Sequence, residues 1–186
     1  KPMNDSDKPW EVISSEYLHR APRLTVRKDH LVLPNGNHIL SYYILEYPDW
    51  VNTIAVTSDG QFVFIRQYRH GLQQTSYELC AGVCEKEDAS PLASAQRELL
   101  EETGYGNGSW QEYMQNPPTP STHTNITYCF LATGVERISE QHLEDTESLS
   151  VHLLTLAEVK ELLQKGEIKQ ALMAAPLWKY IAEKGL

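Results

Sequence analysis

No apolar run in these 186 residues approaches the roughly 20 that a membrane helix needs. Basic residues are in deficit, with 16 Lys and Arg against 25 Asp and Glu and a formal net charge of −9. That balance argues against an electrostatic grip on nucleic acid or on an anionic membrane. Cysteine is scarce. Cys80, Cys84 and Cys129 are an odd set without a tight C-x-x-C pair, which fits a reducing cytoplasm better than a secreted disulfide scaffold. No repeat period appears. Residues 1–9, K-P-M-N-D-S-D-K-P, are polar and read as a flexible end, and no secretory signal pattern follows. The expectation is a cytoplasmic protein with neither a membrane nor a nucleic-acid partner. An acidic chain can still take a small phosphorylated ligand, because a local cation reverses the potential of an acidic pocket.

Short strand-like runs fill residues 10–48: W-E-V-I-S-S-E-Y-L, then P-R-L-T-V-R-K-D-H-L-V-L, then H-I-L-S-Y-Y-I-L-E-Y after the turn at Asn35-Gly36. Val51 to Val56 and Phe62 to Tyr68 read as a hairpin around Ser58-Asp59-Gly60, and residues 75–83 as one further strand. Ser90-Pro91 starts a helix that Gly104 ends. Trp110–Met114, Asn125–Val135 and Leu149–Leu154 are later strands, and helices at Leu156–Gln164 and Ile168 to about Lys184 close the chain, with Pro176 a break or turn in the last. This order predicts an α+β fold of the three-layer α/β/α kind. The expected organisation is a loose segment at 1–9, an antiparallel β region at 10–48 and a catalytic domain at 49–186.

Chemistry concentrates on the helix after Ser90. Leu92, Ala95, Leu99 and Leu100 give it an apolar side, and Glu98, Glu101 and Glu102 share the adjoining arc with Arg97 just beyond, so the helix is expected to pack by one side and present acid on the other. Like charges so close repel unless something positive sits among them. A divalent cation carrying a phosphate substrate answers that need, magnesium first and manganese second. Glu98 and Glu102 are the first candidates for direct ligands, and Glu101 is a further ligand or the group that orients an attacking water. Arg97 is expected to clamp Glu101 or a backbone carbonyl and to orient the site. The competing reading is a solvated acidic surface, since glutamate pairs are common on helices.

The run from Gly82 to Tyr105, completed by R-E-L-L-E-E-T-G-Y, resembles the Nudix signature G-x5-E-x7-R-E-U-x-E-E-x-G-U, with one extra residue between its halves. Asp88 stands at the early glutamate when spacing is counted from Gly82. I-R-Q-Y-R at 65–69, Y-E-L-C-A-G at 77–82 and G-E-I-K-Q-A-L at 166–172 are similar to runs of the ADP-ribose pyrophosphatase branch. The resemblance implies a Nudix-like mixed sheet between helices and a metal-dependent hydrolase. Its substrate would be a nucleoside diphosphate linked to a sugar, ADP-ribose-like, and its products a nucleoside monophosphate and a sugar phosphate. It implies Arg97, Glu98, Glu101 and Glu102 as catalytic residues, and the carbonyl of Ala81 as a metal ligand beside the three glutamates. Glu78 becomes a substrate or metal contact, Arg66 and Arg69 contacts for the pyrophosphate or the partner subunit, and His123 a further substrate contact. Trp50, beside a predicted strand, is read from its own chemistry as a stacking surface for a base, the alternative being an aromatic of the core or dimer seam. The resemblance also implies a homodimer formed through residues 10–48. One departure stands out. The branch often carries a glutamate in the loop after the signature, whereas T-P-S-T-H-T-N at 119–125 has no acid. His123, Glu101 or an acid between Glu136 and Glu147 is left to act as base. A dinucleoside polyphosphate or nucleoside triphosphate hydrolase, and a non-catalytic nucleotide-sugar sensor, are the alternatives.

Overall fold

The computed structural model describes residues 4–185. The expectation of a flexible end therefore falls partly outside the described residues, at Lys1, Pro2 and Met3, while Asp5–Asp7 forms one 3-10 turn. Two compact units are present: one of residues 1–48 with 117–125, the other of 49–116 with 126–186. Among the described residues no helix is long and apolar enough to cross a membrane.

The smaller unit is a three-stranded antiparallel sheet, β1 (Glu11–Ala21), β2 (Leu24–Val32) and β3 (His38–Glu46), in the order β1-β2-β3. The Asn35-Gly36 turn joins β2 to β3 as expected, with Gly36 at φ +83°. β1 bulges twice, between Val12 and Ser14 and between Tyr17 and His19, so its side chains do not keep one alternation along the strand. Segment 117–125 lies along β3, where Leu45 N–H donates to the Thr122 carbonyl at 2.8 Å and Tyr42 hydroxyl to the Ser121 carbonyl at 2.6 Å.

The larger unit is built on an eight-stranded mixed sheet: β4 (Trp50–Thr57), β5 (Phe62–Arg69), β6 (Gln74–Glu78), β7 (Cys80–Val83), β8 (Tyr105–Gly106), β9 (Ser109–Asn116), β10 (Thr127–Arg137) and β11 (Leu149–Leu154). β4 and β10 run parallel at its centre. Strand alternation sorts side chains between two helical layers. Ile54, Val56, Phe62, Phe64 and Leu131 pack toward α2 (Leu156–Gln164) and α3 (Ala171–Glu183). Ala55, Val63 and Ala132 pack on the other face with Leu99 of α1 (Pro91–Thr103). The three-layer α+β expectation therefore holds.

Three local expectations change. Residues 75–83 form two strands, because the chain steps at Leu79 from pairing with β5 to pairing with β4. The Ser58-Asp59-Gly60 hairpin splays after its first pair, Val56 with Phe62, and β6 and β7 take the edges it frees on β5 and β4. α3 begins at Ala171, capped by Gln170, and runs through Pro176 without ending. A proline there withholds the N–H that would bond the carbonyl four residues earlier. The side chain of Asn52 supplies the missing donor, its Nδ2 bonding the Leu172 carbonyl at 3.0 Å.

Candidate active site

Ser90 caps α1, its hydroxyl accepting from Ala93 N–H at 3.2 Å, and Pro91 takes the first helical position. Gly104 ends the helix at φ +76°, where a Cβ would meet the Ser139 carbonyl oxygen at 2.2 Å. Between these caps, Ser94, Glu98 and Glu102 form one row at four-residue spacing. Ser94 and Glu102 are buried and Glu98 is largely so, so the acidic row faces the sheet. The sequence reading had this face turned away from the packing. Only Glu101 lies at the rim, half exposed. Gly82 explains how Glu98 gets in: a Cβ on Gly82 would sit 2.0 Å from the Glu98 carboxyl carbon.

Burial is the main cause that raises Glu98 and Glu102 to a pKa of about 7 each, and their mutual charge adds to it at Glu102. Glu102 accepts a bond from Ala81 N–H at 3.2 Å. Next to it, burial first and the Glu102 charge second push the Cys80 thiol well up. Arg97 gathers the surroundings. Its Nη1 donates to Glu98 at 2.9 Å and to Glu101 at 3.0 Å, and its Nη2 to the Val83 carbonyl at 3.1 Å and Asp88 at 3.0 Å. Asp88 also accepts from the Ser94 hydroxyl at 2.7 Å. Bonds from Arg97 and then Ser94 hold the Asp88 carboxyl down at about 2. Asp88 thus anchors the loop to the helix.

Among the described residues no three His, Cys, Asp or Glu side chains stand drawn together as a finished metal cage, because Arg97 holds Glu98 and Glu101. The residues nevertheless fit a divalent cation. They offer hard carboxylate oxygens on two largely buried acids whose burial outweighs the Arg97 and Ala81 bonds that favour their charge, in a niche that only glycine at 82 leaves open.

Arg69 and Glu78 form a two-pronged ion pair, Nε to Oε1 at 3.0 Å and Nη2 to Oε2 at 2.6 Å. Glu78 is buried and committed to that pair. The Glu102 charge contributes to the raised pKa of Arg69, after the dominant bond from Glu78. Arg69, Glu78, Ala81 and Trp50 line one cavity of about 360 Å³. Arg66 is not brought there. Three positions from Arg69 on the same strand, it projects from the opposite face, with its guanidinium 5.0 Å from the ring of Tyr77. His123 belongs to the smaller unit, where its ring packs on Tyr47 with centroids 5.1 Å apart.

The 136–147 segment passes near the glutamates. The connection between β10 and β11 is tied to the end of α1: Gln141 Nε2 donates to the Glu102 carbonyl at 2.7 Å, and His142 N–H to the Glu101 carbonyl at 2.9 Å. Its Glu147 is close enough that its charge helps raise Glu98, Glu102 and Cys80. Sequence reasoning placed Glu147 only as one acid in a run, because no local periodicity says where a connecting loop returns.

The NUDIX domain family matches residues 47–175, and the nucleoside diphosphate sugar hydrolase N-terminal domain matches residues 10–45. The chain is similar to an ADP-ribose pyrophosphatase of Mycobacterium tuberculosis, 29% identical over 89% of this chain and 80% of that one. It is likewise similar to an ADP-ribose pyrophosphatase of Bacillus subtilis, 28% identical over 87% of this chain and 86% of that one. A solved structure described as an ADP compounds hydrolase shares the fold, with a TM-score of 0.82 at 21% identity over 96% and 97% of the two chains. The signature helix, its buried glutamates and a family match over well more than half of the sequence agree: the chain belongs to the Nudix family.

Proposed function

We infer that this Nudix hydrolase cleaves the pyrophosphate linkage of a nucleoside diphosphate joined to a sugar, ADP-ribose-like, releasing a nucleoside monophosphate and a sugar phosphate. The observation that carries the reading is the buried Glu98–Glu102 pair, raised to about 7, with Arg69 near enough to feel its charge. Two relatives along most of the chain are named ADP-ribose pyrophosphatases, and the N-terminal match is to a sugar-nucleotide hydrolase domain.

Glu98 and Glu102, with Glu101 and the Ala81 carbonyl beside them, would hold magnesium or manganese. When bound, such a cation draws charge from the diphosphate and makes water a better nucleophile near neutral pH. Arg97 keeps the acidic row in register by holding Glu98, Glu101 and Asp88 at once. Arg69, already oriented by Glu78, turns its remaining N–H groups to the diphosphate. The proton of the attacking water goes to Glu147, the acid that the β10–β11 connection carries to the site. Glu101 is the weaker candidate, because its carboxylate is engaged by Arg97.

The protein is expected to be a homodimer through the β1–β3 sheet, where Trp10, Val12, Ile13, Tyr17, Leu40 and Tyr43 are exposed. Three free thiols, two of them buried, suit a reducing cytoplasm. The test is a panel of nucleotide sugars, dinucleoside polyphosphates and nucleoside triphosphates with and without magnesium or manganese, both products identified by mass. The reading requires a nucleoside monophosphate and a sugar phosphate, formed only with the cation. Inorganic pyrophosphate from triphosphates, with the sugars untouched, would refute it.

A further inference from the structure

Asn52 and Thr127 take no part in the chemistry above, yet both are polar side chains sealed into the same wall. Thr127 pairs with Trp50, and Cys129 with Asn52, across the parallel β4–β10 contact. Asn52 is 2% exposed and Thr127 4%. Because Asn52 Nδ2 is held by the Leu172 carbonyl that Pro176 leaves free, the two ends of the carboxamide are told apart. Its Oδ1 is left without a protein partner, and so is the Thr127 hydroxyl. Buried acceptors normally have donors, and an exception asks for one from elsewhere.

Both residues line the 360 Å³ cavity shared with Arg69, Ala81 and Trp50. That neighbourhood narrows the choice of ligand. Arg69 and Ala81 belong to the diphosphate end of the site. In a nucleotide sugar the groups bonded directly to the diphosphate are sugars, and the base stands one ring further out. A sugar ring brings hydroxyl donors for the two free oxygens and an apolar C–H face for the indole of Trp50.

Resting on the hydrolytic reading above, we propose that this cavity holds a sugar ring of the substrate, with Asn52 Oδ1 and Thr127 Oγ1 accepting hydrogen bonds from its hydroxyls. The pair then acts as a specificity filter. A site built to receive hydroxyl groups rejects the analogue that lacks one more strongly than an apolar site separates two isosteres.

Thr127→Val is the informative variant, because it keeps the shape and removes a hydroxyl that bonds nothing in the protein. The full chain is assayed with magnesium on two nucleotide sugars that share a base and differ by one sugar hydroxyl. The readout is the ratio of their kcat/KM values. The wild type should favour the parent sugar about tenfold or more. Thr127→Val should erase most of that ratio, with a melting temperature equal to or above the wild type, and Thr127→Ser should restore it. An unchanged ratio in Thr127→Val overturns the proposal. So does a variant that alters the choice between adenine, guanine and uracil forms of one sugar, which would put the base in the cavity. Should the wild type cleave no nucleotide sugar at all, the hydrolytic reading fails separately. The same parent-to-deoxy ratio, read as Kd by calorimetry, then supports or overturns the cavity assignment on its own.

Discussion

β1 and β4 are both strands with a strong apolar content, but every residue of β1 except Ala21 is exposed, while Val51–Val56 of β4 are all buried. The difference lies in what covers them. β4 sits at the centre of a sheet with α1 on one face and α2 and α3 on the other. Among the described residues of its unit no α-helix covers the three-stranded sheet, which buries little beyond Asp29 and Leu31. The larger unit thus carries its core and its acidic site together. The smaller one leaves β1 open along its length. Apolar content alone does not tell a core strand from an exposed one.

The sharpest way to separate the roles is to strike the chemistry without touching either core. Glu147→Gln should lower turnover by about 100-fold or more with an unchanged melting curve, whereas Glu101→Gln should lower it less than Glu147→Gln. The reverse order would return the base to Glu101. Next comes packing. Leu99→Ala opens a hole under α1 and should cost about 2–5 kcal/mol, read by urea unfolding. Leu40→Lys, at a side chain 71% exposed, should leave the stability of the monomer within about 0.5 kcal/mol and yet shift the mass in solution from dimer to monomer. A dimer that survives it would remove the argument for the sheet as the interface.

The smallest effect is a pH dependence confined to the loop before α1. Asp88 drops from its ordinary 3.8 to about 2 in the folded protein, through its bonds to Arg97 and Ser94. Its stabilisation is therefore complete above about pH 4 and is lost as pH falls through about 2. Asp88→Asn should flatten that part of the acid unfolding curve. Changes in the three-stranded sheet should not affect it.

Much of the larger unit could be read from local chemistry. Ser90-Pro91 and Gly104 bound α1 because capping is decided by neighbours in sequence, and Leu156–Gln164 and Leu149–Leu154 fall where the residue pattern puts them. The strands of the smaller unit were likewise visible. What sequence did not give was set by tertiary partners. The step at Leu79 depends on two different strands offering edges. The passage of α3 through Pro176 depends on Asn52, more than a hundred residues earlier. The charge of Glu147 bears on the glutamates through a connection that is tied to the end of α1. The helix face was misjudged for a related reason: glutamate at 98 and 102 looks like a solvent side until Gly82 makes room for it.

Calorimetric titration of magnesium into the metal-free protein at pH 7, repeated in buffers of different ionisation heat, tests the central claim most directly. Two buried carboxylates with pKa values of about 7 are each about half protonated there, and a bound cation needs both charged. Binding should release about one proton in total, weaken as pH falls toward 6, and release fewer protons in Glu102→Gln. Magnesium that binds with no proton release, and identically in Glu102→Gln, would contradict the account.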